Sequence, residues 1–156
     1  MKKEILFLAV LATCLSSFGQ TFEKTAQGGK FQTAQPTLNG EVIFYSPSIV
    51  RIVKYPSAEM PEKKSYPVIK TPEKVEISYK QNGNTVCMTS GKMTVTLDVV
   101  TGKVTYTDLK GETLLKEKVE GTNFIPRKDV NRDAFTVSQA FSLEPEEAIY
   151  GLGQRQ

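Results

Sequence analysis

Apolar and polar residues alternate along most of this chain with a period of two, the signature of strands with one buried face. No long helical pattern follows the N-terminal stretch. The first strands are expected near residues 30–35, 41–46 and 49–54, punctuated by Asn39-Gly40 and Ser46-Pro47. The proline-containing stretch 56–72 reads as a loop or irregular edge, because proline cannot donate to a strand ladder.

From Val75 onward the pattern is regular enough to assign register. Val75, Ile77 and Tyr79 alternate with Glu76, Ser78 and Lys80, and Asn82-Gly83 then offers a two-residue type I′ turn. That turn pairs Tyr79 with Val86 and Ile77 with Met88. Ser90-Gly91 pairs Met88 with Met93 and Val86 with Val95. Thr101-Gly102 pairs Val99 with Val104 and Leu97 with Tyr106, and Lys110-Gly111 brings Leu115 opposite Tyr106. Each turn is placed from its own chemistry, yet all four keep the apolar side chains on one face of a five-stranded meander. An error of one residue would throw a whole strand onto the wrong face.

A meander with one apolar face must bury it against a second layer. The early strands and the segment 135–141 are the expected second layer. The fold class is therefore all-β, an antiparallel β-sandwich.

The N-terminus carries Lys2 and Lys3, a mostly apolar run from Ile5 to Leu15, and the small residues Ser17 and Gly19. This is a secretory signal pattern over residues 1–19, with cleavage before Gln20; the apolar run is too short to span a membrane. Lipid attachment at Cys14 is the alternative, and Thr13 fits it poorly. Export implies the periplasm or the exterior. Cleavage removes Cys14 and leaves Cys87 alone, so no disulfide forms within the mature domain, residues 20–156. It also takes two lysines and one glutamate away, moving the formal charge from +3 to about +2, too little to argue for nucleic acid or a charged membrane.

The chain has no histidine. This excludes a Ser-His-Asp triad, a Cys-His dyad and any imidazole metal site, and no cofactor or metal is expected. Carboxylates are the remaining candidates: Asp129 and Asp133 in one polar segment, and Glu144, Glu146 and Glu147 in another. A glycosidase needs two carboxyl groups across a cleft. Nothing here fixes such a cleft, and the neighbouring Arg127, Lys128 and Arg132 mark solvated loop charge. Gly151-Leu152-Gly153 lacks the Lys-Ser/Thr of a phosphate loop. Tyr106 and the other aromatics suit core packing better than sugar stacking. Cys87, on the face opposite Val86 and Met88, is a small packed residue with no base to activate it.

The segment running from Phe141 through Glu144-Pro145-Glu146-Glu147-Ala148-Ile149-Tyr150-Gly151-Leu152-Gly153-Gln154 resembles the Glu-x-x-Tyr/Phe-Gly-Leu-Gly stretch of glycoside hydrolase family 31. Ser48-Ile49-Val50-Arg51-Ile52-Val53 resembles an early strand of that family. The stretch from Leu97 to Asp108, followed by Lys110-Gly111-Glu112, resembles its hairpin. Gln154 stands where the family usually has glutamate.

The resemblance covers about residues 29–156 and implies a galactose-mutarotase-like N-terminal sandwich. In such enzymes, retaining α-glucosidases and α-xylosidases, this sandwich packs on a (β/α)8 barrel that carries both catalytic aspartates. The barrel is absent from residues 1–156, so no catalytic residue transfers and the chain alone is expected to be inactive. The implied role is a non-catalytic carbohydrate-binding or support domain in carbohydrate metabolism. Tyr150, Gly151, Leu152, Gly153 and Gln154 would face the barrel. An α-linked oligosaccharide would be met only through the parent enzyme. The alternative is a free-standing secreted sandwich that binds carbohydrate or protein without catalysis.

Overall fold

The computed structural model describes residues 21–34, 38–56 and 67–148. The expected signal peptide, Cys14 and the motif Tyr150, Gly151, Leu152, Gly153, Gln154 lie outside the described residues. Two antiparallel sheets form the fold. The first has four strands in the order β1 (Thr21–Thr25), β2 (Gly28–Gln32), β3 (Asn39–Ser46) and β4 (Ile49–Tyr55). The second is a six-stranded meander: β5 (Ser78–Asn82), β6 (Thr85–Thr89), β7 (Met93–Asp98), β8 (Val104–Asp108), β9 (Thr113–Asp129) and β10 (Arg132–Ser142).

The core lies between the sheets. Phe31, Val42 and Phe44 from the first sheet meet Val86, Met88, Val95, Leu97 and Val104 from the second. Each such side chain, taken fully out of water, contributes about 1.5–3 kcal/mol. Two polar bridges add to this packing. The Tyr79 hydroxyl donates to the Gly28 carbonyl at 2.8 Å, and Ser90 Oγ donates to the Pro47 carbonyl at 2.6 Å.

The alternation assigns every meander strand to the correct face, but three of the four registers differ from expectation by two residues. Tyr79 stands opposite Met88, with Gly83-Asn84 as the turn. Only Gly83 takes positive φ (+56°), so the two-positive-φ geometry assumed for Asn82-Gly83 does not form. Met88 stands opposite Val95, and Val86 opposite Leu97. Here the Ser90 hydroxyl accepts from the backbone N–H of Lys92 and Met93, at 3.3 and 3.2 Å, which moves the turn to Gly91-Lys92. Leu97 stands opposite Val104, and Val95 opposite Tyr106. Asp98 Oδ1 accepts from the N–H of Val100 (2.8 Å) and Thr101 (3.1 Å), holding a longer loop in place of the Thr101-Gly102 turn. The fourth register, Tyr106 opposite Leu115, is as expected.

Other differences have equally local causes. Asn39-Gly40 lies inside β3, because the Phe31 ring packs where a side chain at Gly40 would stand: a Cβ there would come 2.2 Å from the ring. Strand β1 was not anticipated; it pairs with β2 along its whole length. Val75 and Ile77 precede β5, yet still face the core. The described part of the proline-containing stretch forms no strand, as expected. Segment 135–141 joins the meander sheet as β10, beside β9, and not the second layer. The tight turn at Val130-Asn131 folds it back on β9, with Asp129 opposite Arg132. The rings of Phe124 and Phe135 meet edge to face at 6.1 Å, further closing this hairpin.

Candidate functional site

Glu117 is the one acidic residue buried among the described residues. Its Oε2 lies 2.6 Å from Lys54 Nζ, with side-chain exposures of 6% and 7% respectively. The same oxygen accepts the Val104 N–H at 2.8 Å. Lys54 also donates to Thr122 Oγ1 at 3.0 Å, and Thr122 bonds Gln139. This network ties β4 of the first sheet to β8, β9 and β10 of the second.

The sequence reading missed this pair, whose members are 63 residues apart. A signal was present. Lys54 follows Val50 and Ile52 in the inward phase of its strand, and Glu117 follows Leu115 in the inward phase of its own. Opposite charges at two positions that alternation assigns to the core suggest a buried pair.

A cavity of ≈ 290 Å³ opens onto the network, with Ile52, Phe124, Val137 and Phe141 supplying apolar walls. Tyr106 also lines it. Burial, and secondarily the nearby Glu117 carboxylate, push the Tyr106 phenol well above the ordinary tyrosine value.

The carboxylates singled out from sequence are elsewhere and exposed. Asp129 and Asp133 sit at the tip of the β9–β10 hairpin, with Arg127 3.9 Å from Asp129. Glu144 and Glu147 are joined by local hydrogen bonds just after β10, and Glu146 lies between them, also exposed. Neither group faces Glu117 across a cavity, so the described residues contain no pair of carboxyl groups placed for glycoside hydrolysis. Cys87 lies on the outer side of the meander sheet, with Sγ 3.7 Å from Thr96 Oγ1. Among the described residues, no group of three or more His, Cys, Asp or Glu could hold a metal ion, and no helix is long and apolar enough to cross a membrane.

The fold resembles the crystal structure of the GH31 α-xylosidase from Xanthomonas citri, with a TM-score of 0.71 and 20% sequence identity over 90% of this chain. The match spans 14% of the α-xylosidase chain. The family described as the glycosyl hydrolase 31 N-terminal galactose mutarotase-like domain matches residues 40–156. With three quarters of its length in that match, and two antiparallel sheets of the expected kind, the chain belongs to the glycosyl hydrolase 31 N-terminal galactose mutarotase-like domain family.

Proposed function

We propose that this chain is the non-catalytic N-terminal support domain of an exported retaining α-glycosidase of α-xylosidase or α-glucosidase type. The observation that carries this reading is the family match over residues 40–156. The absence of a paired-carboxylate cleft among the described residues is consistent with catalysis residing in a barrel beyond this sequence. In this reading the domain's work is mechanical and steric. It presents a rigid sandwich to the barrel, and Tyr150, Gly151, Leu152, Gly153 and Gln154 face the barrel's active-site end. Substrate, an α-linked oligosaccharide, is bound and cleaved by the complete enzyme.

The experiment is a paired expression of the 156-residue chain and of the same reading frame carried onward. Both are assayed on aryl α-xylosides and aryl α-glucosides. The longer protein hydrolyses one of them and the 156-residue chain hydrolyses neither. A reading frame that stops at Gln156, or turnover by the short chain that is lost on mutating Asp129 or Asp133, overturns the proposal. The cavity walled by Phe124 and Phe141, with polar Thr122 and Gln139 beside them, favours one second reading: a free-standing carbohydrate-binding sandwich. Calorimetric titration of the short chain with α-linked oligosaccharides separates the two. Export is tested by mass spectrometry of the secreted N-terminus, which should begin at Gln20; a lipidated Cys14 would replace that assignment.

A further inference from the structure

The two sheets do not match in width. The second has six strands and the first has four, so β9 and β10 extend beyond β4. Among the described residues, β4 pairs only with β3, leaving its other backbone edge without a strand. Below that edge the inward faces of β8, β9 and β10 continue past the covering layer. Two cavities lie along β4, of ≈ 380 Å³ beside Ile49 and Val50 and ≈ 290 Å³ beside Ile52 and Lys54, and Tyr106 lines both. Together they form a trough with an apolar floor that includes Leu115, Phe124, Val137 and Phe141. Val137 on this floor is 60% exposed.

We infer that this trough is the seat of a further β-strand, which pairs with the β4 edge and completes the first sheet, and that the protein's own onward chain supplies it. This rests on the proposed function, in which the polypeptide continues beyond Gln156. An open strand edge selects extended backbone, because only a strand meets its regularly spaced N–H and C=O groups. The apolar floor selects a segment with apolar side chains at alternate positions. The position of the described chain favours a segment in cis. After β10 it passes Glu144, Glu146 and Glu147 beside Leu114 and Leu115, and those two leucines also line the end of the trough at Ile49. The onward chain therefore leaves the described fold at one mouth of the trough. The α-xylosidase that shares this fold has ample further chain, since the match occupies 14% of it.

Amide hydrogen exchange over β4 (Ile49–Tyr55) tests the inference, in the 156-residue chain and in the onward protein. In the monomeric short chain, the alternate β4 amides that point away from β3 exchange rapidly. In the onward protein they slow by about 100-fold or more, as expected for ladder hydrogen bonds in a cooperative sheet. Val137→Glu, a substitution on the trough floor, restores rapid β4 exchange in the onward protein and leaves the short chain unchanged. Three results overturn the inference. Protection already present in the monomeric short chain assigns the edge to a segment within residues 1–156. Protection that tracks dimer formation by light scattering assigns it to a second copy. Equally fast exchange in both proteins leaves the edge without an occupant. Hydrolysis by the onward protein without β4 protection sinks only this inference. Protection without hydrolysis sinks only the glycosidase reading. A reading frame that ends at Gln156 sinks both.

Discussion

Glu117 Oε2 serves two donors at once, the Lys54 ammonium and the Val104 N–H, in a place where neither donor has ready access to water. Removing that oxygen is therefore costlier than the loss of one surface ion pair. Glu117→Ala is expected to lower stability by about 3–5 kcal/mol, measured by urea unfolding, because it leaves an uncompensated buried cation. The double variant Lys54→Met/Glu117→Leu removes both charges and should recover most of that loss. It still leaves the Val104 amide without its acceptor, a residual cost of about 1–3 kcal/mol. Tyr106 supplies a pH signature at the same place. Its folded-state pKa is raised, so the folded protein holds the phenolic proton more tightly than the unfolded chain does. The resulting stability is fully present below the ordinary tyrosine value of 10.0 and declines as pH rises above it. Tyr106→Phe should flatten the fall of Tm in alkali, and a variant that falls as steeply as the parent would show that Tyr106 contributes nothing to it.

At the scale of the element, the meander separates two kinds of information that a strand carries. The alternation of Val86, Met88, Val95, Leu97 and Val104 specifies which face is buried, and that face is the observed one. It does not specify which residues stand opposite each other, because a shift of two positions keeps every side chain on its own face. Hydroxyl and carboxylate side chains at the turns make that choice. Ser90 is the clearest case: its one oxygen accepts from the N–H of Lys92 and Met93 and donates to Pro47 in the other sheet. Ser90→Ala is expected to cost about 1–3 kcal/mol in a denaturant titration, since these partly buried groups lose their partner. Met88→Asp is a harsher test of the face assignment. Met88 is 0% exposed, and a carboxylate there loses its hydration with no partner, so the variant should unfold or lose several kcal/mol.

For the whole molecule, the decisive feature is the mismatch between a six-stranded and a four-stranded sheet. Ile125, Phe135, Val137, Phe141 and Leu143 are all exposed on or just after the β9–β10 hairpin. Apolar side chains in such number near an open strand edge favour association. The 156-residue chain should self-associate with rising concentration in light scattering and unfold at a lower temperature than the onward protein. A short form that stays monomeric and matches the longer one in Tm would remove the physical support for a missing neighbour. The expectation of a second layer was right for the early strands and wrong for segment 135–141. Its alternation would suit either sheet, and the short Val130-Asn131 connection places it beside β9.

The sequence by itself determined the all-β class, the buried face of each meander strand, and the absence of histidine-based chemistry. These follow from period and composition, which are properties of the chain read locally. Only the tertiary structure decided the pairing across three turns, the sheet to which β10 belongs, and the meeting of Lys54 with Glu117. Each of those depends on groups far apart in sequence competing for the same hydrogen bonds or the same buried volume. A periodic pattern is silent on such competition, because every register that preserves its parity buries the same apolar face.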